Sequence, residues 1–461
     1  MSGGRHADSG LQFLLGTDPR FMSILGMLTR EGLVPPWCGR FGLLGVHGGG
    51  FLPAEVLAST PVASMMREQA MPSNEQQSTE SGYGVVDFCG LLTRKSDSQK
   101  AYVGTPSNAS IVTGLCAAAG IEVRLGSTVV AVHPTITSGA PGAGGGGGGI
   151  DGHAGCRWRI QLAAEDAHPP HSSAGAADPD AGELFDALVL ATHDSSLAAS
   201  AVRAVLSAEA SREHATPAEQ VGEEAKNAQA VRSRLSQLAD ALQLQREQRT
   251  APSFAWSGYF PTGFSERVPF DAVAVPGSSI VSFLARDASK PGRPALARMP
   301  RSIASDSGDL GGDLGGDLRG ELWTAISTRD FASAVLANSS SSEAAAALTE
   351  SGDSERGGSA AVAANEAMSA EVRKLLGPFC AASAGELAPP PLASAAKRWG
   401  GGFAAGTLGL EEESVGLEPW RLAICGDYIC RERASPAEAA ALSGMDAAER
   451  VASWFSEDQH P

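Results

Sequence analysis

LAICGDYICRERASPAEAAALSGMDAAERVASWF, residues 422–455, passes from an apolar run that stops at Gly426-Asp427 into an alanine-rich helical pattern. The run RLAICGDY (421–428) is continuous rather than alternating, as in a strand buried on both faces. FDALVLAT (185–192) has the same character and leads into HDSSLAASAVRAVL, a helical pattern. Two such strands, each feeding a helix through a loop, predict an α/β fold with an open sheet whose ligand sits beyond the carboxyl ends of the strands. Gly426 lets backbone approach a ligand closely or take a positive φ, and Asp427 can accept from a ribityl or ribose hydroxyl. The helix start is expected at Ser443-Gly444, where backbone N–H groups and the positive end of the dipole face an electron-rich ring edge or a phosphate. The same residues also read as an ordinary strand–loop–helix with Ser443 as N-cap, and spacing alone leaves both readings open.

IEVRLGSTVVAVHP (121–134) and RWRIQLAAE (157–165) alternate apolar with polar, which predicts half-buried antiparallel strands in a separate meander. The glycine-rich tract between them becomes an overgrown hairpin loop. Segments 138–155, 165–182, 207–250, 302–320 and 338–366 read as insertions, because their composition buries too little apolar area to offset ordering entropy. Within 207–250, Thr216-Pro217 with Glu219 signals a helix start, and Val221, Ala225, Ala228, Val231, Leu235, Leu238 and Leu242 recur at three and four, so an amphipathic helix is expected. GDLGGDLGGDLRG (308–320) brings Asp309, Asp313 and Asp317 at a spacing that fits no EF-hand loop and no nonapeptide calcium repeat, so a solvated linker is expected and no metal site.

The 461 residues carry 52 acidic against 35 basic side chains, a formal net charge of -17. Such a surface repels phosphate backbones and anionic lipid, so neither nucleic acid nor membrane is an expected partner. No run of about 18 apolar residues occurs, and MSGGRHADSG lacks the apolar core of a secretory signal. The expectation is a soluble, intracellular chain. Cys38, Cys89, Cys116, Cys156, Cys380, Cys425 and Cys430 are odd in number and unpaired in spacing, which points to reduced thiols rather than disulfides or zinc. Cys425 and Cys430 flank the Gly-Asp turn and read as one buried apolar cysteine plus one loop thiol. Neither G-x-S-x-G nor H-E-x-x-H occurs, and the histidines fall mostly in loops and insertions.

Motifs in a fixed order then carry a resemblance: GGR (3–5), DSGLQFL (8–14), DPRF (18–21), VPPWCGRFG (34–42), YVGTPSNASIVTGLCAAAGIEVRLGSTV (102–129), FDALVLAT, APSFAWSGYF (251–260), SFLARDASKPGR (282–293), ELWTAIST (321–328), AKRWGGGF (396–403), and LAICGDYI with AEAAALSGMDAAERV. Together they resemble the renalase-like branch of the FAD-dependent amine oxidase superfamily, over nearly the whole chain between the insertions. The resemblance implies an FAD-binding Rossmann-like domain with an antiparallel substrate domain. By it, Gly426 and Asp427 are the flavin-side turn, Ser443 and Gly444 face the pyrimidine edge, Gly4 and Arg5 lie against the phosphate and flavin side, and Gly10 and Gln12 line the ring. Arg398 and Trp399 are similar to an Arg-Trp near the substrate face, although Trp399 also reads as a plain core tryptophan. Lys290 is the cation to watch near the substrate, against a reading as a surface turn lysine.

Departures accompany these matches. The chain begins after the strand, the G-x-G-x-x-G helix and the ribose-binding acid that open this superfamily, so the FAD-binding domain is expected to be N-terminally truncated. GAGGGG (142–147) has neither a buried strand before it nor a helix after it. Lys397 stands where many relatives have His, GGGF replaces the usual continuation, and Ala439 replaces a Gly. Residues 1–33, 102–206 and 418–456 are assigned to the FAD domain, and 34–101 and 251–404 to the substrate domain. The implied activity is oxidation of a small amine or dihydronicotinamide-type substrate by hydride transfer to flavin, with O2 as acceptor. FAD binding is expected to be impaired, since each charge-assisted bond lost with the glycine loop is worth roughly 1.5–3 kcal/mol. The alternatives are a flavin-free pseudoenzyme or binding protein, and a truncated gene model of the active enzyme.

Overall fold

The computed structural model describes residues 8, 10–45, 50–58, 100–136, 156–163, 183–215, 223–248, 250–298, 319–338, 358–380, 385–404, 406–429 and 435–456. Segments 138–155 and 165–182, Cys89, Cys430 and the pair Gly4-Arg5 lie outside them. The chain forms two compact units, one of Met1–Val123, Ala251–Ala405 and Ala434–Glu438, the other of Arg124–Thr250, Gly406–Arg433 and Ala439–Pro461.

The first unit is built on one eight-stranded sheet, with a separate two-stranded sheet of Pro36–Trp37 and Ala101–Tyr102. The strands of the larger sheet run in the order Ala393–Ala404, Thr250–Phe260, Arg319–Ser327, Val281–Arg286, Ala272–Ala274, Phe41–Leu44, Phe51–Pro53, with Ala297–Arg298 paired to Arg319–Ser327. All the registered pairs are antiparallel except Ala272–Ala274 with Phe41–Leu44. Side chains alternate between its faces. Phe254, Trp256, Leu284 and Trp323 form one face and pack against Met368, Val372, Leu375 and Leu376 of the helix Ser359–Cys380. The other face carries Phe41, Ala255, Ala272, Ala274, Phe283, Ala285 and Ile326 and is covered by Phe13, Leu15, Trp37 and Val103. Residues 358–366, expected within an insertion, are ordered: the helix begins at Ser359 and buries Ala364, because the alanine-rich run continues the helical period of its apolar residues. Residues 319–320 likewise open a core strand.

The second unit holds two small sheets. Val129–Ile136, Cys156–Leu162 and Leu184–Phe185 form the expected antiparallel meander, while Leu188–Leu190 pairs in parallel with Leu422–Ile424, which also pairs antiparallel with Val415–Leu417. FDALVLAT is therefore not one strand. The chain bends at Asp186, which pairs with Arg157 at 2.9 Å, and passes from the meander to the parallel pair. Val189 is 44% exposed, so this strand is buried on one face only, at the edge of its sheet. Leu422–Ile424 is central in its sheet and fully buried, as a continuous apolar run predicts. Residues 121–126 also differ from expectation: the strand begins only at Val129, Ile121, Val123 and Leu125 are exposed, and among the described residues no strand pairs with theirs.

The helix Ser195–Ala215 follows the parallel strand as the pattern predicts and extends through residues 207–215, expected within an insertion. The amphipathic helix is present as Glu223–Gln248; Thr216-Pro217, Glu219 and Val221 lie outside the described residues. It buries Leu235, Ala239 and Leu242, whereas Val231 is exposed. The two helices are antiparallel: Ser195 Oγ donates to the Leu242 carbonyl at 2.8 Å, and Arg203 faces Asp240 at 3.5 Å. Trp158 is fully buried, and its indole N–H donates to the Trp420 carbonyl at 2.7 Å. Among the described residues no helix is long and apolar enough to cross a membrane, and no cluster of His, Cys, Asp and Glu forms a metal site.

Candidate functional site

In the second unit the parallel strands end side by side. Leu188–Leu190 runs into Thr192-His193-Asp194, and Leu422–Ile424 into Cys425-Gly426-Asp427-Tyr428, which places both loops at the carboxyl edge where open α/β sheets hold ligands. Asp194 caps the following helix: its Oδ1 accepts from Ser196 N at 2.9 Å and meets Arg246 at 3.1 Å. Burial alone would raise the Asp194 carboxyl, but the Ser196 hydrogen bonds and the Arg246 and His193 charges hold it below the usual carboxylate range. Asp427 behaves oppositely. Burial pushes its carboxyl up, against weaker lowering by its own backbone N–H and by His193. The Tyr428 phenol is also raised by burial, and among the described residues its hydroxyl has no hydrogen-bond partner. Cys425 is a buried free thiol, raised by burial.

Gly426 is a glycine for a local reason. A Cβ there would sit 2.5 Å from the Tyr428 ring, so the turn closes on the protein's own tyrosine rather than opening a cradle for a ligand.

Ser443 and Gly444 do not begin a helix. The helix runs Pro436–Ser456, and the start signal that outranks them is Ser435-Pro436-Ala437-Glu438, an N-cap serine, a proline at the first helical position and an acid in the first turn. Ser435 Oγ accepts from Glu438 N at 3.2 Å and donates to the Leu15 carbonyl. Glu438 is used elsewhere: Oε1 accepts from Thr17 N at 2.6 Å and from Asp18 N at 2.5 Å, just before the helix Pro19–Arg30. Ser443 lies well inside the helix, where its fully buried Oγ accepts from Gly426 N at 2.9 Å and donates to the Glu413 carbonyl. It braces the Gly-Asp turn from behind. Gly444 has open space where a Cβ would go. Gly444→Ala should therefore stabilise the chain by about 0.5–1 kcal/mol, the ordinary helix-interior preference, as read from urea midpoints.

The first unit carries a second constellation, on the turn 287–293. Lys290 N donates to the Asp287 carbonyl at 2.9 Å and Arg293 N to the Lys290 carbonyl at 3.2 Å. The 3-10 turn covers only Asp287–Ser289 and Lys290 is extended, yet the side chains of Asp287, Lys290 and Arg293 meet on one face, with Lys290 Nζ 3.5 Å and Arg293 Nε 3.9 Å from the Asp287 carboxylate. That face is buried. The Lys290 side chain has 0% exposure, which corrects the surface-turn reading, and Nζ lies 3.4 Å from Asp8 Oδ2, 3.5 Å from Asp287 Oδ1 and 3.3 Å from Gln12 Oε1, with the Trp37 ring at 5.6 Å. Asp8 also takes Arg293 Nη2 and, at 3.0 Å, Asn108 N. Burial pushes the Asp287 carboxyl up, against lowering by the Lys290 and Arg293 charges; the Asp8 charge adds to the rise.

Gln12 connects this cluster to loop 8–12. Its amide nitrogen donates to the Asp8 carbonyl and, at 3.2 Å, to that of Gly10. A Cβ on Gly10 would lie 3.2 Å from the Trp399 indole, which packs on the face of the sheet that carries Ala255 and Phe283. Lys397 Nζ lies 5.2 Å from the centroid of that ring. Strand alternation turns Arg398 to the opposite face from Trp399, so the Arg-Trp pair does not act as one wall. Gly292 is required twice over, by φ 73° and by Thr105 Cγ2 at 2.4 Å from where a Cβ would be.

Of the sequence-derived candidates, the structure joins Gly426 with Ser443, and Gly10 with Trp399, Gln12 and Lys290. Asp8, Asn108, Asp287 and Arg293 were missed, although Asp-x-x-Lys-x-x-Arg at a spacing of three was a readable signal.

No family model and no curated protein matches the chain. Among solved structures it is similar to wild-type putrescine oxidase bound to putrescine, with TM-score 0.41, 10% identity and coverage of 95% of this chain and 87% of that one. It is similar also to single- and triple-mutant forms of putrescine oxidase from a redesign of cofactor binding, each with TM-score 0.44, 10% identity and the same coverage.

Proposed function

We propose that the chain is an FAD-dependent oxidoreductase related to the amine oxidases, in their renalase-like branch, acting on a small amine or dihydronicotinamide-type substrate with O2 as acceptor. One observation supports this most: the parallel pair Leu188–Leu190 and Leu422–Ile424 ends in adjacent loops, one of them the Gly426-Asp427 turn. Among the second unit's residues, the raised carboxyl of Asp427 and the unpartnered hydroxyl of Tyr428 fit a polyhydroxy ligand. Ser443 and Gly444 do not fit it, since both lie inside the helix and Ser443 Oγ is spent on Gly426 N and the Glu413 carbonyl. FAD, when bound, supplies the hydride acceptor. The chain's own contribution is to bind and exclude water. Asp427 holds a hydroxyl at the strand ends, and in the first unit Lys290 fixes a positive charge beneath loop 8–12, with Trp399 packed against Gly10. The second unit carries the cofactor role in this reading and the first unit's sheet the substrate role.

A flavin-free binding protein is the second reading, favoured by the internal use of Ser443. Titrating the purified chain with FAD and following quenching of flavin fluorescence separates the two. Saturable binding that Asp427→Ala weakens at least tenfold, about 1.4 kcal/mol, supports the flavoprotein. Absence of saturable binding to the wild-type chain supports the flavin-free protein.

A further inference from the structure

The helix Ala109–Ala118 belongs to the first unit and buries none of its residues. A helix on a protein surface ordinarily hides an apolar stripe and turns a polar one to water. This one shows water an apolar surface, for ASIVTGLCAA has no charged side chain and residues 101–121 contain no Asp, Glu, Lys, Arg or His. Val112 is 64% exposed, and Leu115, Ile121 and Val123 are exposed as well. Ile121 N donates to the Cys116 carbonyl at 2.9 Å, which folds Ile121 back onto the helix end. One side of the helix is anchored. A Cβ on Gly114 would lie 3.3 Å from Leu33 Cδ1, so Gly114 faces the body of the unit. Two residues along a helix turn it by about 200°, which points Val112 and Cys116 away from that body, with Ala109, Leu115 and Ala119 beside them. Next to this stripe the Thr113 hydroxyl donates to the Ala109 carbonyl at 3.2 Å, so it asks for no outside partner.

We propose that a second copy of this chain covers the stripe, helix against helix, in a two-fold dimer. A contiguous exposed apolar face of this kind marks an association surface, and homodimer contacts are the most apolar class. Charge selects the occupant. The chain carries a formal net charge of -17, so a partner recognised by charge would settle on the acidic surface rather than on an uncharged stripe. A second copy brings the same uncharged stripe, and an isologous contact needs one self-complementary patch. The stripe fits itself. With the helices antiparallel and the two-fold axis between positions 115 and 116, Val112 of each copy meets Ala119 of the other and Leu115 meets Cys116, large against small, which allows close packing. The stretch 109–123 is shorter than the roughly 20–30 residues a side of a standard interface, so the dimer dissociates in the micromolar range.

Sedimentation equilibrium of the full chain from about 1 to about 200 μM tests this, a range that brackets micromolar dissociation. The expected result is a monomer–dimer equilibrium that tightens as salt is raised, because screening weakens the repulsion between two acidic bodies and leaves the apolar contact in place. Val112→Glu should raise the dissociation constant by about tenfold or more, since it sets a charge into the contact on both copies. Val231→Glu, at a valine 54% exposed in the second unit, should leave it unchanged. Both valines are exposed, so urea midpoints of the two variants should match the wild type and separate lost association from lost folding. A wild-type chain that stays monomeric at the highest concentration would overturn the proposal and leave the stripe to a different partner. A dimer that Val112→Glu leaves intact, or one that salt dissociates, would overturn it too, since the contact would then lie elsewhere or rest on charge.

Discussion

Lys290→Met should cost the folded chain roughly 3–5 kcal/mol, the range for removing one partner from a buried ion cluster. The methionine fills much of the same volume, so the loss is electrostatic. Asp8 keeps Arg293 and Asn108 N, but Asp287 loses its nearest cation and retains only Arg293, at 3.9 Å. The loss should depend on pH. Burial raises the Asp287 carboxyl in the folded state above its unfolded value. Between those two values the folded chain holds more protons than the unfolded one, so stability falls as pH rises through that window and is then level. Without Lys290 the carboxyl rises further, and the window widens toward neutral pH. Urea midpoints of both proteins across the acid range check this. Equal slopes, or a loss below about 1 kcal/mol as for a surface pair, would show that Lys290 is not held as described.

The elements that could be read from sequence were those whose pattern matched their surroundings. The alternation of 157–162 and the apolar runs at 188–190 and 422–424 name a face to bury, and each found it. Where a pattern lacked a partner, it misled. Ile121, Val123 and Leu125 alternate well but have no strand beside them, so the period is present without the sheet. Alanine misled in the other direction, since small-residue composition at 359–366 looked like linker while its helical period continued into a core helix. The site shows the same division. Gly426-Asp427 was legible because a turn at a strand's carboxyl end is a local feature. The cluster of Asp8, Asn108, Asp287, Lys290 and Arg293 was not, because it joins residues up to 285 positions apart. Only the spacing within 287–293 could have hinted at it. The start expected at Ser443-Gly444 yields to Ser435-Pro436, a stronger signal about two turns upstream.

Ser443→Ala separates the two roles assigned to the helix. If Ser443 faced a ligand, alanine would leave the ligand-free chain as stable as before and weaken only FAD binding. The geometry gives the opposite expectation. The hydroxyl accepts the Gly426 N–H at 2.9 Å and donates to the Glu413 carbonyl, with no exposure to solvent. Alanine leaves both backbone groups buried and unbonded, so the ligand-free chain should lose about 1–3 kcal/mol. FAD affinity should fall as well, because the Gly-Asp turn loses its brace. Asp427→Asn is the complement. Its carboxyl is raised by burial, so folding is opposed as pH rises through its titration, and asparagine removes that opposition. The ligand-free asparagine variant should match the wild type at acid pH and equal or exceed it at neutral pH, while binding FAD more weakly. Stability lost at Ser443 and kept at Asp427, with binding impaired in both, would establish one residue as support and the other as contact. The reverse pattern would return Ser443 to the ligand's side of the turn.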